Sequence, residues 1–159
     1  AIVSQQLSVA SAAAIWKRLQ SAHMTKAKAI MSADDDTLRA AGLSRQKIRY
    51  ARALAASGID FTRLRQCDDA EVISVLTEVS GIGVWTAEIY AMFSLSRPDI
   101  FAPGDLALQE AARSLFDLPQ RPKERALRQM AEAWSPWRSV AARLLWAYYA
   151  VIKNKEGIA

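Results

Sequence analysis

Gly81-Ile82-Gly83 and Asp105 are the positions whose residue types and spacing could do chemistry. Two glycines one residue apart, between two helical segments, bring consecutive backbone N–H groups to the start of the second helix, where they lack an intrahelical partner. Such amides bind phosphate with the help of the helix dipole. The missing side chains let a sugar-phosphate backbone come close, while Ile82 packs inward and fixes the turn. Contacts of this kind position a duplex without reading its sequence. A bare Gly-x-Gly is, however, more often the cap of a plain helical hairpin. Asp105 follows Pro103-Gly104 and opens a helix, where backbone N–H groups and the dipole favour its ionised form. It reads either as an ordinary N-cap worth about 1 kcal/mol or as a carboxylate that stabilises developing positive charge.

Composition excludes several alternatives. Cys67 is the only cysteine and His23 the only histidine, so no disulfide framework, cysteine-rich metal cluster or multi-histidine site can form, and a Ser-His-Asp triad would have to be built on that one histidine. The net charge of +5 suits a polyanionic partner without requiring one. No apolar run reaches the roughly 18 residues of a membrane span, and no signal peptide is visible. A soluble, intracellular protein is expected. The opening Ala1-Ile2-Val3 reads like the interior of a helix, which suggests that upstream sequence is missing.

Helical spacing positions these residues. Ser8 to Ser21 carries Val9, Ala12, Ala13, Trp16 and Leu19 on one expected buried face. Helices are predicted over Thr25 to Met31 and from Asp34 or Asp35 to Ala41, then after a Ser44 cap with Ile48, Ala51, Leu54 and Ala55 inward. The arginines and lysines around Arg45 to Arg52 are read as a solvated face rather than as phosphate ligands. A loop is expected over 59–66, and a helix capped by Asp68 or Asp69 carries Val72, Val75, Leu76 and Val79 up to the glycine turn. Val84 to Phe93, Leu106 to Phe116 and Lys123 to Trp134 follow as helices. Ser135-Pro136 is expected to cap a last helix running to about Ile152, with a frayed tail over Lys153 to Ala159. No segment favours a strand, so the fold class is all-α.

Val79-Ser80-Gly81-Ile82-Gly83-Val84-Trp85-Thr86-Ala87 resembles the helix-hairpin-helix motif, and Pro103-Gly104-Asp105 stands where the helix-hairpin-helix (HhH-GPD) DNA glycosylases have their Gly/Pro-rich loop and catalytic aspartate. Ile2 to Ser8 looks like the family's segment that enters DNA near the target base, and Trp137-Arg138-Ser139 through Trp146 resembles its final pocket helix. The resemblance covers nearly the whole chain and is nearest the 3-methyladenine DNA glycosylase II branch. It implies one domain over 1–159 with two helical subdomains flanking a DNA- and base-binding cleft, the hairpin at about 69–93 and the catalytic loop at 94–105.

The resemblance further implies roles. Asp105 is the catalytic carboxylate; Gly81, Ile82, Gly83, Val84 and Thr86 meet the DNA backbone; Trp85 and Trp146, with Tyr90 and Tyr149, form the base pocket; and Gln6, with Gln5 facing the pocket or the orphaned partner base, serves as wedge or plug. Ser80 replaces a frequent proline. Trp85 stands where strand-cleaving relatives carry a lysine, and tryptophan forms no Schiff base. The four-cysteine cluster of the endonuclease III branch is missing too, so base release without lyase activity is implied. No cofactor is implied beyond a structural sodium or potassium ion at the hairpin. The expected partner is double-stranded DNA with damaged bases, met by a monomer in the cytoplasm or nucleoid of a bacterium or the nucleus of a eukaryote. Two other readings compete: a non-catalytic DNA-binding or damage-recognition module that keeps the hairpin, and a helical protein-interaction domain.

Overall fold

A computed structural model of the chain describes residues 2–155; Ala1 and the end of the expected tail, 156–159, lie outside the described residues. Every regular element among the described residues is helical, as the apolar spacing predicts. None of the helices is long and apolar enough to cross a membrane. The chain divides into two compact units, Ala1–Ala87 and Glu88–Ala159.

In the first unit a 3-10 turn, Ile2–Ser4, precedes α1 (Val9–Ser21), α2 (Ala27–Ser32), α3 (Asp35–Ala40), α4 (Arg45–Ala56), α5 (Phe61–Leu64) and α6 (Asp69–Thr77), and α7 (Val84–Phe93) begins. Short polar side chains set the starts. Ser8, Asp34, Ser44, Asp60 and Asp68 each accept a first-turn backbone N–H at 2.7 to 3.2 Å, giving partners to donors that a helix leaves open. The bond from the Thr37 N–H also holds the Asp34 carboxyl below its ordinary range. Ile15, Leu19, Ile30, Leu38, Leu43 and Ile48 close the core of this unit. Each such side chain contributes roughly 1.5–3 kcal/mol when fully buried.

Two expectations need correction here. On α1 the buried residues are Ile15 and Leu19, while Val9 is 88% and Trp16 46% exposed. The alanines at Ala10, Ala12, Ala13 and Ala14 make several three-and-four stripes of this helix nearly equivalent, and the large Ile15 decides among them. The loop expected over 59–66 contains α5, because Asp60 Oδ1 accepts the N–H groups of Thr62 and Arg63 and Leu64 is buried. Smaller shifts occur at α2, which starts at Ala27, and at α6, which ends at Thr77 and leaves Val79 buried in the turn.

The second unit contains the rest of α7, then α8 (Leu106–Leu115), α9 (Glu124–Ala131), a 3-10 turn Glu132–Trp134 and α10 (Arg138–Lys155). Helix α8 packs along α10. Leu108, Ala111 and Ala112 on α8 and Ala142 and Leu145 on α10 are buried, and the small residues allow close approach. Trp134 is half-buried, edge-on to Phe101 at 5.3 Å and stacked on Phe116 at 6.1 Å between ring centroids.

Ser135-Pro136 does not start α10. That peptide is cis, and the Ser135 hydroxyl donates to Asp99 Oδ2 at 2.8 Å. The helix start is satisfied from the loop before α8: the Arg138 N–H donates to Asp99 Oδ1 at 3.3 Å and the Ser139 N–H to the Pro98 carbonyl at 2.9 Å. A local capping rule cannot see partners about 40 residues upstream. The helix also continues through Lys153, so the first residues of the expected tail are ordered turns of α10.

Glu88 on α7 is buried, with its side chain 6% exposed, and pairs with Arg128 of α9 at 3.0 Å; Arg128 also reaches Glu124 at 3.2 Å. Burial raises the Glu88 carboxyl above its ordinary 4.5 against the pull of Arg128. An acid whose folded value is raised favours the folded state below its unfolded value and gives up that contribution as pH rises through the folded value. Arg128→Met, which strands the carboxylate, should therefore cost about 3 kcal/mol at neutral pH. The loss should shrink as pH falls towards 4.5, because the Glu88 carboxyl, raised above that value, is neutralised on the way down. Denaturant melts at pH 7 and pH 4 check both the size and the sign.

Candidate functional site

The glycine turn joins α6 to α7. Ile82 donates its N–H to the Val79 carbonyl at 3.0 Å and buries its side chain, as expected of the residue that fixes the turn. Ala87 donates to the Gly83 carbonyl at 3.0 Å, so the amides of residues 84–86 lie ahead of the helical ladder at the open end of α7. Gly83 and Val84 are exposed there.

The two glycines are required for different reasons. Gly81 has φ +88°, and a Cβ built on it would run into the ring of Tyr50, which covers the turn. Both the conformation and the packing exclude a side chain. Gly83 has no such φ, and its Cβ would meet nothing within 4 Å. At Gly83, then, neither backbone conformation nor packing against the rest of the chain excludes a side chain.

The turn after the first 3-10 element carries Gln5 and Gln6. Gln6 is exposed and held at φ +56°, a conformation uncommon for a residue with a side chain. Gln5 instead turns inward: its Nε2 donates to the Gly81 carbonyl at 2.8 Å and to the Thr86 hydroxyl at 3.3 Å. Thr86 is 5% exposed, so any contact it makes with a strand falls to its main chain. Trp85 lies half-buried in the first turn of α7.

In the second unit, Asp105 is the N-cap of α8. Its Oδ1 accepts the N–H groups of Ala107 at 2.9 Å and Leu108 at 3.1 Å, and also the indole N–H of Trp146 at 3.2 Å. The cap reading of Asp105 is thus correct, and the side chain is in addition oriented by a tryptophan on α10. The neighbouring Gln109 is buried and donates to the Pro103 carbonyl at 2.7 Å, which ties the loop to the helix it feeds.

Helix α10 braces the loop at two further places. Arg138 grips Asp99 with two bonds, Nε to Oδ1 at 2.7 Å and Nη2 to Oδ2 at 2.8 Å. The Arg138 guanidinium, ahead of Ser135, holds the Asp99 carboxyl down at about 2. A depressed carboxyl contributes stability above its unfolded value of 3.8 and loses it as pH falls towards 2, so this brace survives mild acid. The buried Ser139 hydroxyl accepts the Ile100 N–H at 3.0 Å and lies within donating distance of the carbonyls of Arg97 and Ile100.

Trp146 is half-buried and its ring lies 5.7 Å from that of Phe93 at the end of α7; the Arg143 guanidinium lies 4.8 Å from the same phenyl ring. Tyr90 and Tyr149 are half-buried on α7 and α10. Sequence reasoning did not single out Phe93, although it stands one helical turn after Tyr90. It also did not assign Asp99, Ser139 and Tyr50, whose partners are distant in sequence and leave no local signal. Among the described residues no group of three or more His, Cys, Asp or Glu could hold a metal ion.

These features coincide with a family model described as HhH-GPD superfamily base excision DNA repair protein, which matches residues 1–136. The chain is 33% identical over 155 residues to DNA-3-methyladenine glycosylase 1 of Schizosaccharomyces pombe, covering 92% of this chain and 68% of that protein. Among solved structures, the 3-methyladenine DNA glycosylase of the same yeast in complex with abasic DNA aligns with a TM-score of 0.82 and 31% identity, covering 91% of this chain and 75% of that one. A DNA-3-methyladenine glycosidase from Bacillus halodurans aligns with a TM-score of 0.81 and 36% identity, covering 96% and 74%.

Proposed function

The chain belongs to the HhH-GPD superfamily of base excision DNA repair proteins, and from that premise we propose that it is a monofunctional DNA glycosylase that flips out alkylated purines such as 3-methyladenine and hydrolyses the N-glycosidic bond, leaving an abasic site. The observation that carries the reading is the Asp105 carboxylate, fixed through Oδ1 by two amides and the Trp146 indole. An ordinary N-cap needs no tryptophan.

Breaking the bond builds positive charge on the deoxyribose, as in glycoside hydrolysis. A carboxylate already fixed in place stabilises that charge without reorganising. Alkylation at N3 or N7 makes the purine cationic beforehand, so the bonding electrons leave with a base that becomes neutral. Water supplies the new C1′ oxygen and releases one proton. Little acid catalysis is needed, in keeping with Asp105 as the acting group and a single histidine in the whole chain.

Binding follows from the first unit. The amides at the start of α7 and the open space over Gly83 take a phosphate. Gln6, exposed and strained, is the wedge. Extruding the nucleotide costs a few kcal/mol, least for a damaged pair. Trp85 and Trp146 offer indole faces to a cationic base, each stacking contact being worth roughly 1–3 kcal/mol. Tyr90 and Tyr149 are further aromatic candidates for such stacking. Trp85 supplies no amine, hence no lyase step. A sodium or potassium ion at the hairpin would draw on backbone carbonyls of the turn.

The test is incubation with methylated DNA and chromatography of the freed bases. Release of 3-methyladenine supports the proposal. DNA binding that weakens with salt but frees no base would favour the damage-recognition module instead.

A further inference from the structure

We propose that Gln5 is a positioning residue that makes the wedge follow the grip of the glycine turn on the strand; the proposal rests on the reading above. Its single amide nitrogen spans two acceptors distant in sequence, the Gly81 carbonyl at 2.8 Å and the Thr86 hydroxyl at 3.3 Å. These lie at the two sides of the segment that takes the phosphate. Neither acceptor is free to move. Gly81 lies under the Tyr50 ring, and Thr86 is 5% exposed.

A second bond holds the same turn from α4. Lys47 Nζ donates to the Val3 carbonyl at 2.7 Å, and partial burial lowers the Lys47 ammonium from its ordinary value. The chain is therefore fixed at Val3 and Gln5, and the next residue, Gln6, stands exposed at φ +56°. A side-chain-bearing residue keeps such a conformation where its surroundings over-determine it, and these two bonds do so together with the Leu7 N–H, which donates to the Ser4 carbonyl at 3.2 Å and closes the turn around Gln6. Of these bonds, those of the Gln5 amide run to the turn proposed to hold the phosphate, and they tie the placement of Gln6 to it. Gln5 acts through Gln6 and Gly81 and touches neither the base nor the reacting atoms.

The experiment compares single-turnover base release from two duplexes carrying the same alkylated purine, one with a normal partner base and one with an abasic gap opposite the lesion. In the gapped duplex no partner has to be held apart, so the wedge has little to do. Gln5→Leu should slow release from the paired duplex about ten-fold, the scale of one lost hydrogen bond at the transition state, and leave the gapped duplex within about two-fold. The salt dependence of its affinity for abasic DNA should match the wild type, because phosphate contacts are kept. Thr86→Val, which removes one acceptor and keeps the shape, should show a smaller loss with the same preference for the gapped duplex, and it carries the test should Gln5→Leu not fold. Equal losses on both duplexes, or no loss on either, overturn the proposal. Wild-type protein that releases base from neither duplex would instead overturn the activity reading.

Discussion

Asp105→Asn is expected to lower base release by about 10³-fold, the loss typical when one preorganised electrostatic partner of a transition state is removed. Asparagine keeps the size of the side chain and an oxygen that can accept from Ala107, Leu108 and Trp146. It is also among the preferred N-caps, so the start of α8 should persist with a stability change below about 1 kcal/mol. The substitution thus separates charge from cap. Affinity for abasic DNA should remain, since the phosphate contacts proposed for the first unit are untouched. Single-turnover release, thermal melting and binding measured together check the claim. Normal turnover by the variant would remove Asp105 from the mechanism.

The second large effect separates the two glycines. Gly81→Ala forces a side chain into a left-handed backbone at φ +88° and towards the Tyr50 ring. Backbone strain of about 1–3 kcal/mol and overpacking of about 1–3 kcal/mol together should cost the first unit a large part of its stability. Gly83→Ala meets no atom within 4 Å and should change stability by less than about 1 kcal/mol. Its added methyl stands where a phosphate is proposed to approach, so DNA affinity should fall about ten-fold with a shallower dependence on salt. Chemical denaturation and DNA titration across salt concentrations distinguish the two. A Gly83→Ala protein that binds DNA as the wild type does would remove the phosphate assignment.

The parts of this architecture written in local sequence were legible in it. Capping residues are such parts: Ser44, Asp68 and Asp105 cap the helices their positions suggest. So are the inward Ile82 and the extent of α7, Val84–Phe93. What failed depends on partners far along the chain. The start of α10 takes its acceptors from Pro98 and Asp99, so the serine-proline pair suggested a cap that the fold does not use. The phase of α1 could not be chosen among alanines without knowing what Ile15 meets. Gln5 offers the same amide for a base edge as for a carbonyl, and only the fold brings Gly81 within its reach. The bond from Trp146 to Asp105 spans 41 residues, and no local pattern in the sequence joins the two.

The most direct test of the central claim is single-turnover reaction of the wild-type chain with a duplex carrying one alkylated purine, the products resolved both as free base and as strand fragments, with and without hot alkali. Free base should appear in the untreated sample, with the strand intact until alkali cleaves it at the abasic site. Absence of free base would contradict the assignment of glycosylase activity, and strand breaks without alkali would contradict the role given to Trp85.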